Sequence, residues 1–280
     1  MIRKDRLGWI FRFAVLSLYA LTCLYPFIWM LSTAFKPGAE ALNNPSLLPR
    51  EGLSAINWRI FADVWRRIDF PIFFFNSVKV SFLVVVGQLL IYSMAGFAFA
   101  KLRFVGREFL FYCFLGLLFV PPFAVVLTLV PLEAKLGILN THLGVILPII
   151  NGGAPFAIFL FRNYFKTIPH EIYENAILDG AGEYRIYATI YFPIAKPALA
   201  TIAIMNFLGS WNALLWPLVC LRDEKLFTLP LGLMYLNTSM FVQYNVLMAG
   251  GIITLIPTIF VFMFLQRYYI AGLTAGAVKA

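Results

Sequence analysis

Between Thr167 and Pro197 the chain reads TIPHEIYENAILDGAGEYRIYATIYFPIAKP, and four carboxylates, Glu171, Glu174, Asp179 and Glu183, fall within thirteen residues. The whole 280-residue chain is 61% hydrophobic and only 12% charged, so this segment stands apart and belongs in water. Carboxylates grouped like this can accept charge-assisted hydrogen bonds from a basic or N–H donor of another protein. Such a contact is worth about 1.5–3 kcal/mol when desolvated, against under about 0.5 kcal/mol for a solvated surface residue. Acid–base or metal chemistry has no support beside them. The two histidines, His142 and His170, are far apart in sequence, and Cys23, Cys113 and Cys220 lie singly in or beside apolar stretches. Neither a metal site, a haem site nor a disulfide framework is indicated. No glycine-rich loop ending in Gly-Lys-Ser/Thr occurs, so the chain has no such cradle for ATP phosphates and no cofactor of its own is expected.

The elements that must position these carboxylates can be read from the same segment. Pro169 suits the first position of a helix, and Glu171 in the first turn complements its dipole. Ile172 with Ala176 and Tyr173 with Ile177 share a face, whereas Glu171 and Glu174 sit on another, so the helix is short and amphipathic. Asp179-Gly180 ends it by turn chemistry. A second helix carries Tyr184, Tyr187, Ala188 and Tyr191 and is expected to close at Pro193 and Pro197. Two short helices at an angle, projecting from a membrane protein, make a docking element.

The rest of the chain supplies the membrane. Apolar runs of about 20 residues, enough to cross about 30 Å of hydrocarbon, predict an all-α membrane protein, one domain over residues 1–280. Six spans are expected near 13–35, 73–100, 109–130, 144–161, 198–218 and 246–265. The first is too long for a signal-peptide core and lacks a cleavage pattern, so it is expected to be retained. The net charge of +9 comes from Lys and Arg standing singly or in pairs at the edges of apolar runs, which points to membrane-flanking charge rather than nucleic acid. With the N-terminus inside, 13 of these residues lie inside and 9 outside, so both termini and residues 167–197 are expected in the cytoplasm. His170 and Glu183 are then inside, and Asn140 and Glu224 outside. Residues 36–69 are expected to be an external loop with a short helix around 58–65.

Inside the spans the polar residues are neutral apart from Lys79, which is counted with the outer charges. No Asp or Glu lies within the six runs, Glu133 being nearest at an expected outer end, which counts against a proton-relay carrier. Gln88, Asn151, Asn206 and Asn212, with Trp211, are candidates to line a pathway for a sugar, because amides donate and accept and aromatic rings stack on apolar sugar faces. The competing role for each amide is an interhelical hydrogen bond, typically under about 2 kcal/mol.

Glu174-Asn175-Ala176, then Gly180 six residues after the Glu, then Ile190-x-Phe192-Pro193, resembles the coupling loop of ATP-binding-cassette importer permeases, with pattern E-A-A, three residues, G, nine residues, I-x-L-P. Asn175 and Phe192 depart from the pattern, and both keep size and register. Further blocks narrow the resemblance to the carbohydrate class of the maltose-transporter type, second-permease kind. They are residues 98–107, residues 136–141, Ser210-Trp211-Asn212 with Trp216-Pro217-Leu218, and the tail 266–279. The resemblance implies a non-enzymatic subunit in the cytoplasmic membrane of a prokaryote, importing a sugar or oligosaccharide. It also implies a second permease, an ATPase dimer that binds ATP and Mg, and an extracytoplasmic solute-binding protein as partners, with membrane lipid around them. Coupling to the ATPase falls to Glu174, Asn175, Ala176, Asp179, Gly180, Ile190 and Pro193. The tail, flexible by composition, implies contacts from Gly272, Gly276 and Lys279. A stand-alone carrier or a membrane-embedded enzyme is the alternative.

Overall fold

A computed structural model describes residues 2–67, 69–237 and 243–277. Among these the chain is helical throughout, without strands. In chain order the helices are α1 Ile2–Phe35, α2 Ile60–Arg67, α3 Phe70–Lys101, α4 Arg107–Gly116, α5 Pro122–Leu136, α6 His142–Gly152, α7 Ala154–Lys166 and α8 His170–Leu178. They continue as α9 Glu183–Ile194, α10 Lys196–Trp211, α11 Leu215–Cys220, α12 Leu229–Asn237 and α13 Tyr244–Ala277.

Three stretches, Gly8–Phe35, Phe70–Lys101 and Tyr244–Gln266, are each long and apolar enough to cross a membrane. Three bent pairs pass the same test: α4 with α5, α6 with α7 (48°) and α9 with α10 (79°). The described residues therefore hold three such helices, or six if each bent pair is one span. The breaks fall at Pro121-Pro122, at Gly153 before Pro155, and at Ala195 before Pro197, where a missing N–H and a locked φ prevent the helical ladder from continuing straight.

Contacts divide the chain into two compact units, residues 1–71 with 233–256 and residues 72–232 with 257–280. In the first, the loop after α1 is organised by Lys36. Its ammonium is buried over the Trp29 ring and donates to the carbonyls of Asn44 (2.9 Å) and Ser46 (2.6 Å). Phe35 packs on Trp58 and Phe61, which seats the start of α2. The second unit is built around α3, whose small residues admit neighbours closely. A Cβ on Gly96 would lie 2.4 Å from the Phe161 Cβ.

Several boundaries differ from the sequence expectation. The fifth expected span, 198–218, ends as a helix at Trp211; Asn212–Leu214 interrupt it and α11 is separate. Pro217, which cannot donate to a preceding turn, explains the interruption. Pro193 does not close α9. The helix passes through a π turn at Tyr187–Tyr191 and continues to Ile194, the wider turn being a known way to accommodate a following proline. Helix α12 was not anticipated. The tail expected to be flexible is helical through Ala277, since its Ala and Leu residues favour helix enough to carry Gly272 and Gly276. Lys279 lies outside the described residues. Glu133 is buried inside the last turn of α5, where Cys220 Sγ lies 3.5 Å from its Oε2.

Candidate functional site

The acidic segment folds as two helices joined by a tight turn. Helix α8 ends in a Schellman motif, with Ala181 N–H donating to Ala176 O (3.0 Å) and Gly180 N–H to Ile177 O (2.9 Å). The motif requires a left-handed residue, and Gly180 supplies it at φ +78°. Across the turn the Tyr173 hydroxyl donates to Glu183 on α9. Desolvation first, and the Glu183 carboxylate second, push the Tyr173 pKa up to about 12.

The inner face of this pair is joined to the membrane helices by aromatic packing. The Phe97 ring of α3 meets Tyr191 (4.9 Å between centroids), Tyr187 (5.7 Å) and Tyr173 (6.3 Å), and Phe165 of α7 closes the cluster on Tyr191 at 5.7 Å. Ile186, Tyr187, Tyr191 and Ala176 are buried in that core. Lys101, at the end of α3, donates to the Ile168 carbonyl (2.7 Å) immediately before α8 and sits over the Tyr191 ring. Behind this, Arg162 of α7 is buried against the Phe111 ring, donates to both Glu108 oxygens (2.6 and 2.7 Å) and to Phe99 O, and ties α7 to the start of α4. Sequence reading singled out neither Phe97 nor the Arg162–Glu108 pair. Arg162 sat at the end of an apolar run and read as flanking charge.

The outer face is free of such packing. Glu174, Asn175, Asp179, Gly180 and Pro193 are exposed, with Ile177 43% and Leu178 84% accessible. Ala176 points inward and Ile190 is half-buried, so the C-terminal half of α8 turns its aliphatic groups outward at Ile177 and Leu178. Glu174 lies 3.6 Å from His170 Nε2. An open cleft of about 600 Å³ runs along this face, lined by Lys101, Arg103, His170, Glu174, Ile177 and Leu178 among others. Acid, base and exposed aliphatic groups side by side can seat a protein surface.

The five pathway candidates are not brought together. Trp211 is buried, stacked on Phe207 at 5.5 Å. The exposed Asn212 amide, just past the end of α10, donates back to Leu208 O in its last turn (2.9 Å), and Asn206 is half-buried. Gln88 is buried and donates to Ile149 O (2.8 Å). Asn151 is exposed and borders a cavity of about 350 Å³ whose walls come from the helix breaks, including Val120, Ile149, Gly152, Pro155 and Trp216. Among the described residues no cluster of His, Cys, Asp and Glu could hold a metal ion.

The sequence matches, over residues 61–274, the family described as binding-protein-dependent transport system inner membrane component. An arabinooligosaccharides transport system permease protein of Halalkalibacterium halodurans is 40% identical over 261 residues, covering 93% of this chain and 92% of its own. A diacetylchitobiose uptake system permease protein of Streptomyces coelicolor is 32% identical over 273 residues, covering 95% and 87%. Among solved structures, one chain of a bacterial ABC transporter involved in the import of the acidic polysaccharide alginate aligns at TM-score 0.79. It shares 27% identity and is covered to 98%, with 95% of this chain.

Proposed function

Because this chain belongs to the family of binding-protein-dependent transport system inner membrane components, we propose that it forms half of an oligosaccharide pathway and that its α8–α9 pair docks on a separate ATPase. Relatives whose names specify arabinooligosaccharides and diacetylchitobiose support a carbohydrate cargo. The partners in this reading are a second permease, an ATPase dimer that binds ATP and Mg, and an external solute-binding protein, with the chain itself non-catalytic. The whole chain acts as one permease domain, with both termini in the cytoplasm of a prokaryotic cell. The observation that carries the proposal is mechanical. The α8–α9 pair is packed through Phe97 and Tyr191 onto α3 and α7, while its outer face presents Glu174, Ile177 and Leu178 to solvent.

A push on the outer face is thereby passed to α7, whose Pro155 lines the cavity beside Asn151. Ile190 and Pro193 set the direction of α9 relative to α10. Gly272 and Gly276 at the end of α13, with Lys279 following in the sequence, add a second contact with the ATPase, and a truncation after Ala271 that leaves transport unchanged would remove them from it. The test is reconstitution of this chain with a second permease, an ATPase and a solute-binding protein of the same cell, using arabino- and chito-oligosaccharides as probes. ATP-dependent uptake only in the full assembly is expected, and uptake by this chain alone would refute the proposal.

A further inference from the structure

The bend between α6 and α7 is built from a sequence of displaced hydrogen bonds. Pro155 has no N–H to give Asn151 O, the carbonyl four residues before it. The Gly153 N–H turns to Asn151 O instead and also faces the Tyr92 hydroxyl of α3. That leaves Ile149 O, which Gly153 would serve in a straight helix, without its donor. The Gln88 side chain of α3 takes the vacated place, its Nε2 lying 2.8 Å from Ile149 O. Gln88 is 3% exposed, and a Cβ on Gly153 would come within 3.1 Å of the same nitrogen and 3.4 Å of the Tyr92 hydroxyl, so the amide fits closely against a residue that carries no side chain. Ile149, Asn151, Gly152 and Pro155, the residues of the break, form one wall of the cavity of about 350 Å³.

We propose that Gln88 is a positioning residue for transport: its amide substitutes for the missing backbone donor, holds α6 and α7 at their 48° bend, and so presents Asn151 to the cavity. The assignment of that cavity to the transport pathway rests on the function proposed above. The action of Gln88 on the bend does not. A side-chain donor borrowed from a neighbouring helix is the means by which a membrane protein tolerates proline and glycine breaks at depth.

Spin labels at Leu143→Cys and Asn163→Cys, both exposed and on opposite sides of the break, read the bend directly. The background is the full-length chain in lipid, with Cys23, Cys113 and Cys220 replaced. Gln88→Met keeps the length of the side chain and removes the donor. The expected result is a broader inter-label distribution with its mean about 2–3 Å longer, the change that 1.5 Å per residue gives for ten residues on each side straightening. Gln88→Glu, neutral when buried and then able to donate, restores the parent distribution. In Pro155→Ala, where the backbone regains its donor, Gln88→Met has no further effect. A distribution in Gln88→Met that coincides with the parent, or failure of Gln88→Glu to restore it, overturns the proposal. Should Gln88→Met fail to fold, Gln88→Leu, which also removes the donor at similar volume, must give the same lengthening. If the distances behave as expected and Asn151→Ala leaves uptake unchanged, the positioning stands and the pathway assignment falls.

Discussion

Gly180 is the residue at which backbone geometry and the proposed docking coincide. Its φ of +78° closes α8, and a non-glycine L-residue there costs about 1–2 kcal/mol. A Cβ at Gly180 would meet nothing within 4 Å, so a large side chain projects into solvent where a partner would sit. Gly180→Arg is therefore expected to reach the membrane at near-normal abundance yet lose transport or shed the ATPase on purification. Gly180→Asn, better tolerated in the left-handed region, is expected to be milder. Normal transport by Gly180→Arg with the ATPase still bound would rule out this segment as the coupling element. Tyr173 offers a second test of the same turn. Its neutral form is favoured in the fold, so its contribution is complete below the ordinary tyrosine value near 10 and fades as pH rises through about 12. The tyrosinate absorbance lost in Tyr173→Phe should have its midpoint near 12; a midpoint near 10 would show that the ring is neither desolvated nor held by Glu183. The spacing of Glu174, Gly180, Ile190 and Pro193 was legible in the sequence because a turn and a helical register are local. The inward turn of Ala176 was not, since it depends on where Phe97 lies.

At the scale of elements, α3 and α7 are the struts that receive α8 and α9, and their separation is set by Gly96. An added methyl 2.4 Å from the Phe161 Cβ and 3.1 Å from the Arg162 nitrogen must force the helices apart. Gly96→Ala is expected to destabilise the chain by about 1–3 kcal/mol and to lower its thermal midpoint in detergent. Gly209→Ala is the control, because nothing lies within 4 Å of an added Cβ on α10 and the helix gains up to about 1 kcal/mol of propensity. Equal midpoints for the two variants would contradict the close approach of α3 and α7. Helix breaks at Pro121-Pro122 and near Pro155 were legible because proline acts on its own turn. Helix ends were less so: α10 stops at Trp211 inside an unbroken apolar run, and α13 continues past Gly272. Hydropathy does not mark where a backbone ladder stops.

At the scale of the molecule, the distribution of Lys and Arg predicts which side of the membrane the docking pair faces. A single cysteine at exposed Glu183 should react with an impermeant reagent only from the cytoplasmic side, and one at exposed Glu224 only from the outside. Labelling of position 183 from the outer face would invert the topology. What the sequence determined by itself was the helical membrane class, the family and the acidic two-helix segment. Each rests on local quantities, such as apolar run length, proline and glycine chemistry and residue spacing along one stretch of chain. The tertiary structure alone decided what each polar residue does. Gln88 and Asn151 look alike as isolated amides in apolar runs. One is buried against the Ile149 carbonyl of another helix, and the other is left exposed beside a cavity. Arg162 likewise read as flanking charge until Glu108, 54 positions earlier in the chain, was brought to its guanidinium. Hydrogen bonding requires two groups within about 3 Å, and a partner that distant in sequence is supplied only when the helices pack.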